Sequence, residues 1–305
     1  MLLPDLAERL DRLFRVAAFD EHDGWDFAFG PGERDALLER AVPGFAAAFN
    51  GLMVAPARDG ERPLEVDRVY LLVFPEQTLV ERVIADEAAR GAPGAMILTH
   101  HVADMETADR GFIPVPIAQI DALVAANVAV YVLHAPLDCH PEISTSGALA
   151  DGLGLRRLGT FAPYYAGDAG VLAEQPPEPF AAFAARVRAL CELADFDVSQ
   201  VRHMGRPVAR VAILAGGGDD IDALTEADAL DVDTFLAGTW WTLQRGAWAD
   251  ANRDALRAFL PGCRLNLFGA SHDGSELVVF RDRVAPLLKG WGLDVVLVRQ
   301  EDHWR

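Results

Sequence analysis

Three apolar runs in this chain show no polar alternation, and each stops at side chains that bind metals. Ala95-Met96-Ile97-Leu98-Thr99 leads to His100 and His101. Val128-Ala129-Val130-Tyr131-Val132-Leu133 leads to His134 and Asp138, and Leu265-Asn266-Leu267-Phe268-Gly269-Ala270 leads to Ser271, His272 and Glu276. Uninterrupted β-branched and apolar runs of this length describe strands covered on both faces, the kind found in parallel α/β sheets. Ligands of such sheets bind beyond the carboxyl ends of the strands. The imidazoles and carboxylates fall at those ends.

A lone histidine at a strand end is usually a satisfied polar group, and a lone aspartate there is usually a turn residue. Three coinciding strand ends point to borderline divalent metals, which take imidazole and carboxylate ligands. No His-Glu-x-x-His motif or Cys-x-x-Cys pair is present, so residue type and placement leave both readings open. Neighbours on an extended strand face opposite ways. His100 and His101 are therefore expected to serve two ions, one each, unless the chain turns there. His272 and Glu276 stand four apart at a strand-to-helix junction, where Ser271 or Ser275 can cap a helix beginning near Ser275 and both side chains can face one cavity.

The rest of the pattern alternates between the helical and strand periods. Helices are expected over 5–16, 33–49, 77–90, 116–126, 144–153, from Phe180, and over 275–291; strands are expected over 69–74, 208–214 and 293–298. Right-handed strand-helix-strand crossovers follow, with a hairpin-like interlude over 156–174. Gln175-Pro176-Pro177-Glu178-Pro179 reads as a linker or turn by composition. The division expected is an N-terminal α/β lobe over 1–155, with an extended N-terminus, and a C-terminal α/β lobe over 156–305.

Charge narrows the function. The chain has 46 acidic against 27 basic side chains and a net charge of -19, a field that repels nucleic acids and anionic membranes. No apolar stretch approaches a membrane span, and Met1–Arg9 lacks the pattern of a secretory signal. Cys139, Cys191 and Cys263 are odd in number and scattered, which fits a reducing cytoplasm. Cys191 reads as core, and Cys139 as facing away from Asp138. Gly216-Gly217-Gly218 offers backbone amides to a phosphate, but Asp219 and Asp220 would repel one, so a tight turn is expected. Trp240 and Trp241 are expected to pack internally. Asp20-Glu21-His22-Asp23 is read as a solvated acidic loop, and His140, His203 and His303 as surface or structural.

Four segments, Ile97-Leu98-Thr99-His100-His101, His134-Ala135-Pro136-Leu137-Asp138, Ala215-Gly216-Gly217-Gly218 and Ser271-His272 with Glu276, make the chain resemble the NIF-three-like family from about residue 66 onward. Members are often labelled GTP cyclohydrolase 1 type 2 homologs and carry a dinuclear metal centre. The resemblance implies a two-lobed α/β fold with mixed, largely parallel sheets and the metal cavity between the lobes. It implies His100, His101, Asp138, His272 and Glu276 as ligands of two divalent ions per subunit (zinc, iron, manganese or cobalt), and assembly as a homohexamer. Two departures stand out. The acidic loop Val102-Ala103-Asp104-Met105-Glu106 replaces the family's proline and aromatic-rich loop, and Ala237-Gly238-Thr239-Trp240-Trp241 lacks the family's Glu and His. The expected function is a cytoplasmic metal-dependent hydrolase acting on a small nucleotide-like substrate, with His134 as a proton shuttle. The alternative is a metal-binding or metal-delivery protein, or an interaction module, without turnover.

Overall fold

Complete burial of both faces is what keeps the Ala95–Thr99 and Val128–Val132 strands free of charged residues, since every position of both is covered. In the computed structural model, which describes residues 1–56, 63–91, 94–105 and 111–304, the chain divides into two units. The first comprises Met1–Met105, Phe112–Leu137 and Val284–Gln300; the second is built on Asp138–Arg283, with the chain end from Glu301. The chain thus leaves the first unit after Leu137 and re-enters it at Val284, whereas the sequence suggested one crossing at 155/156.

The first unit is built on a five-stranded sheet in the order Gly51–Val54, Val128–Val132, Ala95–Thr99, Arg68–Leu72, Asp294–Leu297. Only Gly51–Val54 runs antiparallel to its neighbour. The Gln77–Arg90 and Ile117–Ala125 helices supply the crossovers and bury Leu79, Val80, Val83, Ile120 and Leu123. The expected helix over 33–49 is two shorter ones, Pro31–Leu38 and Phe45–Ala48. Pro43 has no N–H to donate, and Gly44 takes φ +98°, so the helical ladder cannot run through. Trp25 is fully buried there, with Phe45 and Phe49 edge-on at 5.8 and 4.9 Å and Phe29 at 5.2 Å.

The second unit holds a six-stranded sheet in the order Arg156–Tyr164, Gly167–Glu178, Val208–Gly217, Thr234–Thr239, Asn266–Gly269, Val201–Arg202. Its central three strands are parallel and its margins antiparallel. The Ile221–Ala229 and Ala247–Phe259 helices, which were not among those expected from the sequence, make the two crossovers. Residues 175–178, expected as a linker, continue the Gly167–Glu178 strand. The register against Val208–Gly217 shifts there, from Glu174 opposite Arg210 to Glu178 opposite Val208. Pro176 and Pro177 fall in that irregularity, where a missing donor breaks no ladder bond. The expected helix over 275–291 begins earlier, at His272, and passes through a π-helical turn, Phe280–Val284, before Ala285–Gly290. Pro286 cannot donate to the carbonyl four residues back, which accounts for the widened turn. Among the described residues no helix is long and apolar enough to cross a membrane.

The aromatic cluster predicts the cost of losing its centre. Trp25→Ala should destabilise the protein by about 3–5 kcal/mol. Trp248→Ala, at a side chain 53% exposed, should stay within about 0.5 kcal/mol. Denaturant unfolding of the two variants in parallel checks the contrast.

Candidate metal centre

His100 and His101 leave their strand at the point where its pairing stops. The parallel ladder reaches Thr99, paired with Leu72 on one side and Val132 on the other. The Thr99 hydroxyl donates to the His101 carbonyl at 2.9 Å, and the His100 and His101 amides donate to the Leu72 and Val73 carbonyls at 3.0 Å each. Strand alternation lapses in this bend, so the two rings do not point to opposite sides as expected; their centroids lie 4.6 Å apart. His101 stacks on Phe74 at 4.2 Å. His134, two residues past the carboxyl end of its own strand, Val128–Val132, brings its ring to 4.9 Å from each of the others.

One ring nitrogen from each of His100, His101 and His134 lies within 4.8 Å of the other two. A zinc–nitrogen bond is about 2.1 Å, so two nitrogens on one ion stand at most about 4.2 Å apart. The three nitrogens are grouped within a bound slightly wider than that span, which makes them candidate ligands. The tautomers fit as well. His100 is fully buried, and its Nδ1 donates to the Leu133 carbonyl at 2.8 Å. In the neutral ring Nε2 then carries the lone pair, the form that binds metal. His134 Nδ1 meets the Glu21 carboxylate at 2.7 Å, with the same consequence.

In the second unit, His272 Nε2 lies 3.2 Å from Glu276 Oε1, with the two side chains 13% and 3% exposed. Both stand on the His272–Val279 helix, capped by the Ser271 hydroxyl, which accepts from the Gly274 amide at 2.9 Å. Ser271 has φ +66°, a region that costs a side-chain-bearing residue of order 1–3 kcal/mol. The pair is held from the sheet by glycines. A Cβ on Gly216, itself at φ +77°, would collide with Glu276 Oε1 and stand 3.0 Å from His272 Nε2. Ser275 Oγ accepts from the Gly216 amide and donates to the His272 carbonyl, each at 2.9 Å. A Cβ on Gly238 would strike Gly216 and Ser275 in turn. Asp138, buried at 7% exposure, receives the Thr145 hydroxyl at 2.7 Å. That bond fixes one carboxylate oxygen.

The remaining expectations divide. Gly216 and Gly217 belong to the Val208–Gly217 strand and not to the turn expected there, and the Gly218 amide donates to the Thr239 carbonyl at 2.8 Å. Trp240 packs into the core of the second unit, as expected. Cys191 is buried, and burial pushes its thiol up to about 12. Cys139 Sγ contacts the Tyr164 carbonyl at 3.4 Å. His140 Nδ1 accepts from the Glu142 and Ile143 amides at 3.1 and 3.0 Å, and His203 stacks on Phe180. His303 pairs with buried Asp273 at 2.6 Å. Glu106 of the acidic loop lies outside the described residues. The Asp20–Asp23 segment requires correction. Asp20 and His22 are exposed, but Glu21 is buried against His134 and Asn50. No spacing rule joins residues 21 and 134, so sequence offered no signal for this contact.

Among known proteins, the sequence model of Duf34/NIF3 (NGG1p interacting factor 3) matches residues 46–302. A Halobacterium salinarum protein named GTP cyclohydrolase 1 type 2 homolog is 32% identical over 197 residues, 63% of this chain and 71% of the relative. Among solved structures, TTHA1606 from Thermus thermophilus superposes with a TM-score of 0.64 at 20% identity, over 99% of each chain. The protein ybgI, described as of unknown function, gives 0.64 at 19% identity over 99% of this chain and 100% of the other. The fold is the α/β fold with mixed sheets of these structures.

The packing at Gly216 has a measurable consequence. Gly216→Ala should cost about 2 kcal/mol or more, because it combines an unfavourable φ with a displaced Glu276. Gly159→Ala, where nothing lies within 4 Å of the added carbon, should change stability by about 1 kcal/mol at most. Equal unfolding midpoints for the two variants would refute the close packing.

Proposed function

Because the chain belongs to the Duf34/NIF3 (NGG1p interacting factor 3) family, we propose that it is a divalent-metal-binding protein with a dinuclear centre, acting as a hydrolase on a small nucleotide-like molecule. The ligands assigned are His100, His101, Asp138, His272 and Glu276. What supports the reading is the chemistry of the donors: buried carboxylates held by defined partners, and the His100 and His101 imidazoles with a ring nitrogen of each within 4.8 Å of the other. Three neutral imidazoles and two carboxylates suit zinc, iron, manganese or cobalt. Two such dications against two carboxylates leave a local charge of about +2, which attracts an anionic substrate despite the acidity of the whole chain.

When bound, a divalent ion supplies Lewis acidity toward an oxygen of substrate or water. The chain's own residues do the rest. His134, with Nδ1 held by Glu21, is the side chain assigned to accept a proton from water or deliver one to a leaving group. That duty falls to His134 because the segment after Gly238 reads Thr239-Trp240-Trp241, without an acid or base. The name carried by the Halobacterium salinarum relative makes GTP the first compound to test. A cytoplasmic location agrees with three cysteines that form no disulfide among the described residues. Assembly as a homohexamer, the expectation carried by the family resemblance, completes the reading.

Elemental analysis of protein purified without added metal should find close to two divalent ions per chain. Asp138→Asn and Glu276→Gln should each lower that occupancy sharply and reduce the melting temperature, since ions bound only by the native state stabilise it. Absence of metal, with both variants matching the parent, would sink the metal reading. Stoichiometric metal without turnover, together with direct transfer of ions to an apo acceptor, would replace hydrolysis by metal delivery.

Assembly has its own check. Light scattering after size exclusion should give six times the 33.1 kDa chain mass. A single-chain mass at micromolar concentration would overturn the hexamer.

A further inference from the structure

Glu21 is 2% exposed, yet no lysine or arginine is among the partners described for it. Its Oε1 meets His134 Nδ1 at 2.7 Å, and its Oε2 accepts from the Ala135 amide at 3.2 Å and from Asn50 Nδ2. Asn50, 3% exposed, turns its Oδ1 to accept from the His134 amide at 2.7 Å. One buried pair thus holds the same histidine by backbone and by ring. Burial raises the pKa of Glu21, but the attraction and hydrogen bond of His134, with those of Asn50 and the Ala135 amide, outweigh it and keep the carboxyl below its ordinary value. An ionised carboxylate only accepts hydrogen bonds, so the shared proton sits on the imidazole nitrogen.

We propose that Glu21 is a positioning residue that locks His134 in the Nδ1–H tautomer, so that the ring's lone pair is on Nε2. The inference deepens the function proposed above and rests on its assignment of His134. Nothing in the family match assigns Glu21, because the match begins at residue 46. A neutral histidine in water favours the proton on Nε2, so the preferred form in this chain is the opposite one. A carboxylate behind a working imidazole does this in many active sites, fixing tautomer and ring orientation together. The ring centroids of His100 and His101 each lie 4.9 Å from that of His134. The dyad is therefore built into the imidazole cluster.

The test is nitrogen-15 NMR of the full chain labelled at its 8 histidines, stripped of metal by chelation and held at mildly alkaline pH. The His134 signals are those lost in His134→Gln. In the wild-type chain Nδ1 should carry the proton and Nε2 should show the shift of an unprotonated ring nitrogen. Glu21→Ala should lose that preference and move His134 toward the Nε2–H form. Wild-type His134 protonated on Nε2 would overturn the proposal, and this measurement needs no variant to fold. Retention of the Nδ1–H form in a folded Glu21→Ala chain would overturn it too. Absence of metal from the purified wild-type chain would sink the metal reading while leaving the tautomer result intact, so the two failures are distinguishable.

Discussion

The parallel ladder formed by Ala95–Thr99 and Val128–Val132 ends in register, with Thr99 opposite Val132. That one coincidence sets the geometry of the imidazole cluster. Adjacent strands stand under about 5 Å apart, so groups emerging from neighbouring strand ends are near each other without further design. The Thr99 carbonyl accepts from the Leu133 amide at 2.9 Å, which extends the pairing one step past the ladder. The Leu133 carbonyl then orients His100. Backbone hydrogen bonding delivers the positions and the His100 tautomer, and leaves the His134 tautomer to the Glu21 side chain.

The second unit reaches similar precision by another route. There the sheet and the His272–Val279 helix approach so closely that Gly216 and Gly238 are required, and Ser275 stitches strand to helix through two hydrogen bonds. The backbone at Ser271 is held in a costly conformation at the junction. A side chain there is tolerable because its hydroxyl caps the helix, so part of the conformational cost is offset by a bond that glycine could not make.

Much of this was legible in the sequence. Non-alternating apolar runs announced buried parallel strands, and the histidines after them sat where a parallel sheet exposes its functional edge. The Gln77–Arg90 helix matched its pattern end to end. Failures came where local chemistry was subordinate to packing. Pro176 and Pro177 looked like a linker, but an irregular register at a strand margin accommodates them. Thr234–Thr239 is short and contains Gly238, so its strand character came from neighbours on both sides. The rings of His100 and His101 were expected on opposite faces because strand alternation was extended one residue too far. Glu21 was read as solvated because charge in a loop usually is; only the tertiary contact with His134 reverses that.

Glu21, Trp25 and Phe29 all precede the stretch that matches the family, which opens at residue 46, yet they lie within the first compact unit. Similarity and packing therefore draw different borders on this chain. A fragment cut where the resemblance begins would keep all five proposed ligands and discard the carboxylate behind His134, along with much of the aromatic packing that seats its segment. Such a fragment would look complete in an alignment and be incomplete as an object. A segment outside the matched stretch can hold hydrogen bonds on which a residue inside it relies, as Glu21 does for His134.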